Sequence, residues 1–255
     1  MATTLPPRLY KYESINLNSL VNLLARVVYF GSPKHFNDPF DCAISAVVQE
    51  LSQEGVKTIL SEANATNLAR FQPSIRTLLT ERARATLKEL SHEFLELRGV
   101  SCFSETNDNL LMWSHYADCG RGICLEFDTA DILFAKARRV DYGDCFPSIV
   151  ADELLVKKDY GRALDLYFTK SKDWAYEREW RVIHQTAGTK FGFEAASLTG
   201  VYLGPRVTNE NANLVAAMLR NYDPAPAIFI SRPSLSEFKM EFFRPEESTG
   251  PSRPD

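Results

Sequence analysis

In the stretch KDWAYEREWRVI, residues 172–183, Glu177 and Glu179 stand two positions apart, with Trp174, Tyr176 and Trp180 around them. A carboxylate taken out of water is costly unless it is paired or put to use. Two readings follow. Either Arg178 and Arg181 neutralise the acids as ordinary structure, with a Glu179–Arg181 ion pair as the simplest case, or one carboxylate meets positive charge that develops during a reaction. Read as a strand, the stretch places Glu177, Glu179 and Arg181 on one face, with Arg178, Trp180 and Val182 on the other.

Three other stretches carry side chains suited to chemistry. In FNDPFD (36–41), Asp38 and Asp41 could offer oxygens to a divalent cation. Alternatively, Asn37 and Asp38 cap the amides of a turn while Phe36 and Phe40 pack. SCFSE (101–105) alternates Ser101, Phe103 and Glu105 on one face with Cys102 and Ser104 on the other. A hydroxyl there either orients a ribose or ligand amide, or is satisfied by backbone. In LLMWSHYAD, Met112, His115 and Tyr116 share a helical face. His115 could act as a general base and Tyr116 as a stacking platform, or both could simply pack. No G-x-S-x-G motif or Cys–His signature points to a hydrolase.

The elements that must hold these residues alternate irregularly. RLYKYESI has strand character, and NLNSLVNLLARV repeats Leu20, Leu23, Leu24 and Val27 at helical spacing behind possible Asn caps. VVYFGSP is a short strand stopped by Gly31 and Pro33. Residues from about 49 to 98 read as helix divided at Pro73. A strand at 99–105, a helix at 109–118 and a strand at 122–128 follow, with Asp118-Cys119-Gly120-Arg121-Gly122 as a helix stop. ARRVDYGD continues as β, the stretch IVADELLVKKDYGRALDLYFTK reads as mainly helical, and EWRVIHQ as a strand. LTGVYLGPRV predicts a strand and turn, NENANLVAAMLRNY an amphipathic helix, and AIFISRPS and KMEFFRP the last β segments. Regular β-α-β spacing, a G-x-G-x-x-G fingerprint and a phosphate-binding glycine loop are all missing. The expectation is a single α+β domain over 8–245, with mixed, mostly antiparallel sheets and a helical insertion, and a disordered tail at 246–255.

Composition narrows the function classes. The chain has 255 residues, 45% of them hydrophobic, which is enough for a substantial core. A net charge of −4 gives no global attraction for nucleic acid or an anionic membrane. The apolar runs fall well short of the ~18 residues a membrane span needs, and MATTLPPRLY lacks the pattern of a secretory signal. Five irregularly spaced cysteines without a C-x-x-C pair, beside four histidines, argue against a closed zinc site and suit a reducing compartment. A cytoplasmic protein without membrane partners is expected.

Taken as a set, several motifs resemble a bacterial family known only as a domain of unknown function. They are L-Y-K-Y (Leu9–Tyr12), F-N-D-P-F-D (Phe36–Asp41), S-C-F-S (Ser101–Ser104), M-W-x-x-Y-A (Met112–Ala117), a Gly-Ile strand (Gly122–Phe127) and E-x-E-W-R (Glu177–Arg181). The likeness spans about residues 8–205. More distantly, the order of an aromatic first strand, a serine strand, a helix, a strand and an E-x-E strand resembles the ADP-ribosyltransferase superfamily. That resemblance implies a split β core and NAD as substrate, with ADP-ribose passed to an unknown protein or nucleic-acid acceptor, in a toxin or defence setting. It assigns Tyr10 or Tyr12 to the first-strand position, with Lys11 or Arg8 in place of the usual Arg or His. Ser101 or Ser104 takes the serine, Tyr116 (with His115 beside it) the nicotinamide wall, and Glu179 the ribose-binding carboxylate. Glu177 would then activate the acceptor or set substrate choice. The carboxylate fits because loss of nicotinamide builds oxocarbenium charge on the ribose, and no metal is required. Two other classes stay open. One is a metal-dependent nuclease using Asp38, Asp41 and Glu179 with Lys170 or Lys172. The other is a non-catalytic binding module whose glutamates pair with Arg178 and Arg181.

Overall fold

The computed structural model describes residues 4–42 and 47–245; the tail expected to be disordered, 246–255, lies outside them. The chain opens with β1 (Arg8–Glu13), α1 (Leu17–Ala25) and β2 (Val27–Phe30), then β3 (Val47–Gln49), α2 (Gln53–Glu62) and α3 (Gln72–Leu97). Next come β4 (Gly99–Ser104), α4 (Leu110–Tyr116), β5 (Ile123–Asp128), β6 (Arg138–Arg139), β7 (Asp141–Gly143) and β8 (Ser148–Val150). After these lie α5 (Ala151–Leu155), α6 (Gly161–Asp165), β9 (Thr169–Ser171), β10 (Glu179–His184) and β11 (Thr189–Gly192). The last elements are β12 (Leu198–Leu203), α7 (Asn209–Leu219), β13 (Ala227–Pro233) and β14 (Met240–Phe243). The α+β class and the mostly antiparallel sheet are as the sequence predicts. Among the described residues no helix is long and apolar enough to cross a membrane.

The chain forms two compact units from interleaved segments. The first takes Met1–Gly31, Gly99–Arg139 and Ala175–Asp255; the second takes Ser32–Arg98 and Val140–Trp174. The helical stretch at 49–98 therefore lies in the second unit.

The first unit is built on an eight-stranded sheet among the described residues, in the order β14-β13-β12-β5-β1-β4-β10-β6. Only β12 and β13 run parallel, and α7 supplies the crossover that a parallel pair requires. Alternation along the strands separates two faces. Leu9, Phe103, Ile123, Leu125, Phe127, Trp180, Val182 and Val201 point into the main core, joined by Leu23 of α1 and by Val215 and Leu219 of α7. Each such side chain, fully buried, contributes about 1.5–3 kcal/mol. The opposite face gathers Tyr12, Cys124, Tyr202 and Met240 beneath Met112 and Trp113 of α4.

Local signals set the helices of this unit. Asn16 and Ser19 form a reciprocal capping box at the start of α1, and Arg26 in the left-handed region (φ 53°) ends it. Asn109 caps α4 by accepting from the amides of Leu111 and Met112.

The second unit packs α2, α3 and α5 around Val56, Leu60, Leu87 and Leu154. In α3 the buried positions 80, 83, 87, 91 and 94 recur at helical spacing. Pro73 sits in the first turn of α3, where its missing N–H leaves nothing unsatisfied, so it starts a helix rather than kinking one. Two short parallel ladders, β3 with β8 and β7 with β9, complete this unit. The reading of residues 149–170 as mainly helical is corrected here. Only the short α5 and α6 and a 3₁₀ turn form, and β9 takes Thr169–Ser171.

Candidate functional site

Two features deliver the Glu177 side chain to its place. The segment Lys172–Glu177 is a short 3₁₀ helix, and Arg178 follows in the left-handed region at φ 45°. The strand therefore begins only at Glu179. The expectation that Glu177 shares a strand face with Glu179 and Arg181 is thus corrected: the kink at Arg178 takes Glu177 out of the sheet. Once it is out, Glu177 meets α4, where the Tyr116 hydroxyl donates to its Oε1 at 2.5 Å. Its carbonyl accepts from the Ser104 hydroxyl at 2.7 Å. Ser104 Oγ in turn accepts from the Thr106 amide, so a single hydroxyl ties β4 to the approach of β10. Asn109 Nδ2 holds the neighbouring Tyr176 carbonyl at 3.2 Å.

Glu179 has a different environment. It is buried in β10, between β4 and β6, and both its oxygens are engaged by Arg181. Nε donates to Oε1 at 2.6 Å and Nη2 to Oε2 at 2.8 Å. The Arg181 side chain is 0% exposed and that of Glu179 5%, so water does little to screen the pair. Of the two readings of the acidic pair, the structural one applies to position 179. A carboxylate already bridged by a guanidinium has its charge compensated before any sugar arrives.

The other expected residues divide between the two faces of the sheet. Cross-strand partners share a face, and Lys11 is opposite Leu125 while Ser101 is opposite Val182, both on the main-core side. There the Lys11 ammonium donates to Ser101 Oγ at 3.1 Å and to the Cys102 carbonyl. Tyr10, Tyr12, Ser104 and Glu179 face the other way. The Tyr12 hydroxyl donates to the Thr106 carbonyl, and burial pushes its pKa up. His115 is exposed, with its ring 6.3 Å from that of Tyr176 and 6.3 Å from that of Tyr116. The residues drawn together are thus Ser104, His115, Tyr116 and Glu177, with Tyr176, which the sequence places beside the acids, and Asn109, which the sequence reading did not single out.

Glu126 was also missed. Its carboxylate accepts from Tyr202 at 2.7 Å and from Thr199 at 2.6 Å, and Arg8 lies 3.5 Å away. Burial first, and then the charge of Glu126, raise the Tyr10 phenol to about 12. The available signal was an acid inside the otherwise apolar strand ICLEF.

In the second unit, Asp38 Oδ1 accepts from the Phe40 amide, which is the turn role foreseen for FNDPFD. Asp41 forms an ion pair with Lys170 at 3.0 Å, and Lys172 pairs with Asp144. Among the described residues no group of three or more His, Cys, Asp or Glu side chains has metal-binding geometry.

No curated protein and no solved structure matches the chain. Residues 112–182, from Met112 in α4 to Val182 in β10, match a family model described as a protein of unknown function (DUF2971), and over this segment, which contains Tyr116, Glu177 and Glu179, the chain is similar to that uncharacterised family.

Proposed function

We propose that the first unit is an NAD-consuming, ADP-ribosyltransferase-like enzyme in which Glu177, rather than Glu179, is the carboxylate that meets the ribose. The observation that carries this reading is the convergence of Tyr116, Ser104 and Glu177 from three separate elements. A carboxylate oriented by a phenol can stabilise the charge that builds on a ribose as nicotinamide departs. Tyr176 and His115, with rings tilted 33° to each other, supply a wall against which a flat ring can rest. The fit extends to the nicotinamide riboside half. Lys11, expected to meet the pyrophosphate, lies on the opposite sheet face, and Arg8 is engaged by Asp128 at 2.5 Å.

A second reading is a binding module without turnover. The bridged Glu179–Arg181 pair and the commitment of the Ser104 hydroxyl to backbone favour it. One experiment separates the two. Incubating the protein with NAD labelled in its adenylate half, alone and in cell lysate, measures nicotinamide release and label transfer. The enzyme reading expects both, and their loss in a folded Glu177→Gln variant. If the parent releases no nicotinamide, that reading is abandoned, and calorimetry with NAD then tests binding alone.

A further inference from the structure

The second unit contains a cavity of about 270 Å³ that the proposed NAD chemistry does not use. Its walls include Phe40, Phe146, Pro147 and Leu166, with Lys170 and Cys145 among them. Phe40 and Phe146 are 64% and 46% exposed, and their rings stand 6.1 Å apart. Two aromatic rings left in water beside an apolar hollow gain by being covered. The charged groups of the lining are already matched. Lys170, 4% exposed along its side chain, pairs with Asp41 and lies 4.8 Å from the Trp174 ring centre. Asp144 pairs with Lys172. Among the described residues the wall thus offers no unbalanced charge, and a charged guest would lose its hydration without compensation.

We propose that this cavity binds a small, neutral, ring-bearing molecule. An apolar cavity of ~150 Å³ accepts benzene, so this one has room for a fused bicyclic. The guest's faces would lie against Phe40 and Phe146, completing an aromatic cluster in which offset and edge-on contacts are preferred.

Cys145 lines the cavity and is exposed, so the native protein carries its own reporter, and the exposed Cys119 of the first unit serves as an internal control. Alkylation of each thiol by iodoacetamide is followed by mass spectrometry with and without indole. At four times its dissociation constant, indole slows Cys145 about fivefold and leaves Cys119 unchanged. Phe146→Ala, at an exposed position compatible with folding, retains less than half of that protection. Indole-3-carboxylate, the charged analogue, protects less than indole. If Cys145 reacts equally fast up to the solubility limit of indole, or both thiols slow alike, the site is refuted. Stronger protection by the carboxylate would overturn the neutral class.

Discussion

Replacing Glu179 with glutamine tests whether that carboxylate is structural. The substitution keeps the shape of the side chain but removes its charge, and it replaces one acceptor oxygen with an amide NH2 group, a donor that faces the Arg181 donors. Arg181 is wholly buried and both bonds of the fork are short, at 2.6 and 2.8 Å, so the guanidinium loses the negative charge that this fork supplies. Removing one member of a buried pair costs about 3–5 kcal/mol. For a unit of this size that is a fall in Tm of roughly 6–20 °C. Glu177→Gln keeps an acceptor for Tyr116, and weakening that one bond costs about 0.5–1.5 kcal/mol. Urea unfolding followed by tryptophan fluorescence reads both, since Trp113 and Trp180 are buried in the first unit. Adding Arg181→Met completes a double-mutant cycle, with an expected coupling of at least about 2 kcal/mol. A Glu179→Gln cost under about 1 kcal/mol, or a coupling near zero, would refute the structural assignment and return Glu179 to the list of ligand-binding candidates.

Three further substitutions probe the first unit. Burial raises the Glu13 carboxyl above its usual 4.5, against a smaller opposing pull from Lys11. The folded protein therefore keeps this proton where the unfolded chain has lost it. The resulting stabilisation is complete below pH 4.5 and drains away as pH rises through the folded value. Glu13→Gln has no proton to lose, so it gains on the parent between pH 4 and 7 in denaturant titrations; a gap that does not change with pH rejects the argument. In the loop after α4, Asp118, Cys119 and Gly120 are all left-handed, with φ of 48°, 53° and 81°. Cys119→Gly should stabilise by about 0.5–1 kcal/mol. Gly120→Ala should do the reverse, because a Cβ there keeps the unfavourable φ and comes within 3.2 Å of Pro205. Equal or same-signed effects would show that the loop is not strained as described.

What the sequence revealed was local. The Asn16 cap, the alternation that puts Phe103 and Trp180 each on one face of its strand, and the turn at Asp38 all depend on neighbours a few residues away. What it concealed was pairing. Whether Lys11 and Tyr116 lie on the same side of the sheet depends on the register of β1 against β5 and β4, which local spacing does not encode. Ser104 meets Glu177 across 73 residues, and Glu126 meets Tyr202 across 76. The division into two units was hidden for the same reason, since each is assembled from segments far apart in the chain.

The two glutamates that look equivalent in the sequence EREWR owe their difference to one backbone torsion. With an extended residue at 178, Glu177 and Glu179 would sit on the same face, two like charges competing for one arginine. The left-handed turn at Arg178 breaks that alternation. Glu179 then has Arg181 as its strand-face neighbour and becomes part of the sheet's internal support, while Glu177 is turned toward a phenol on α4. A positive φ at a non-glycine residue costs about 1–2 kcal/mol, and it persists only where the surroundings demand it. Here they do: the Arg178 carbonyl accepts from the Glu105 amide, and the Glu177 carbonyl accepts from Ser104. The strain at Arg178 is thus what separates a carboxylate bridged within the sheet from one held by the phenol of α4.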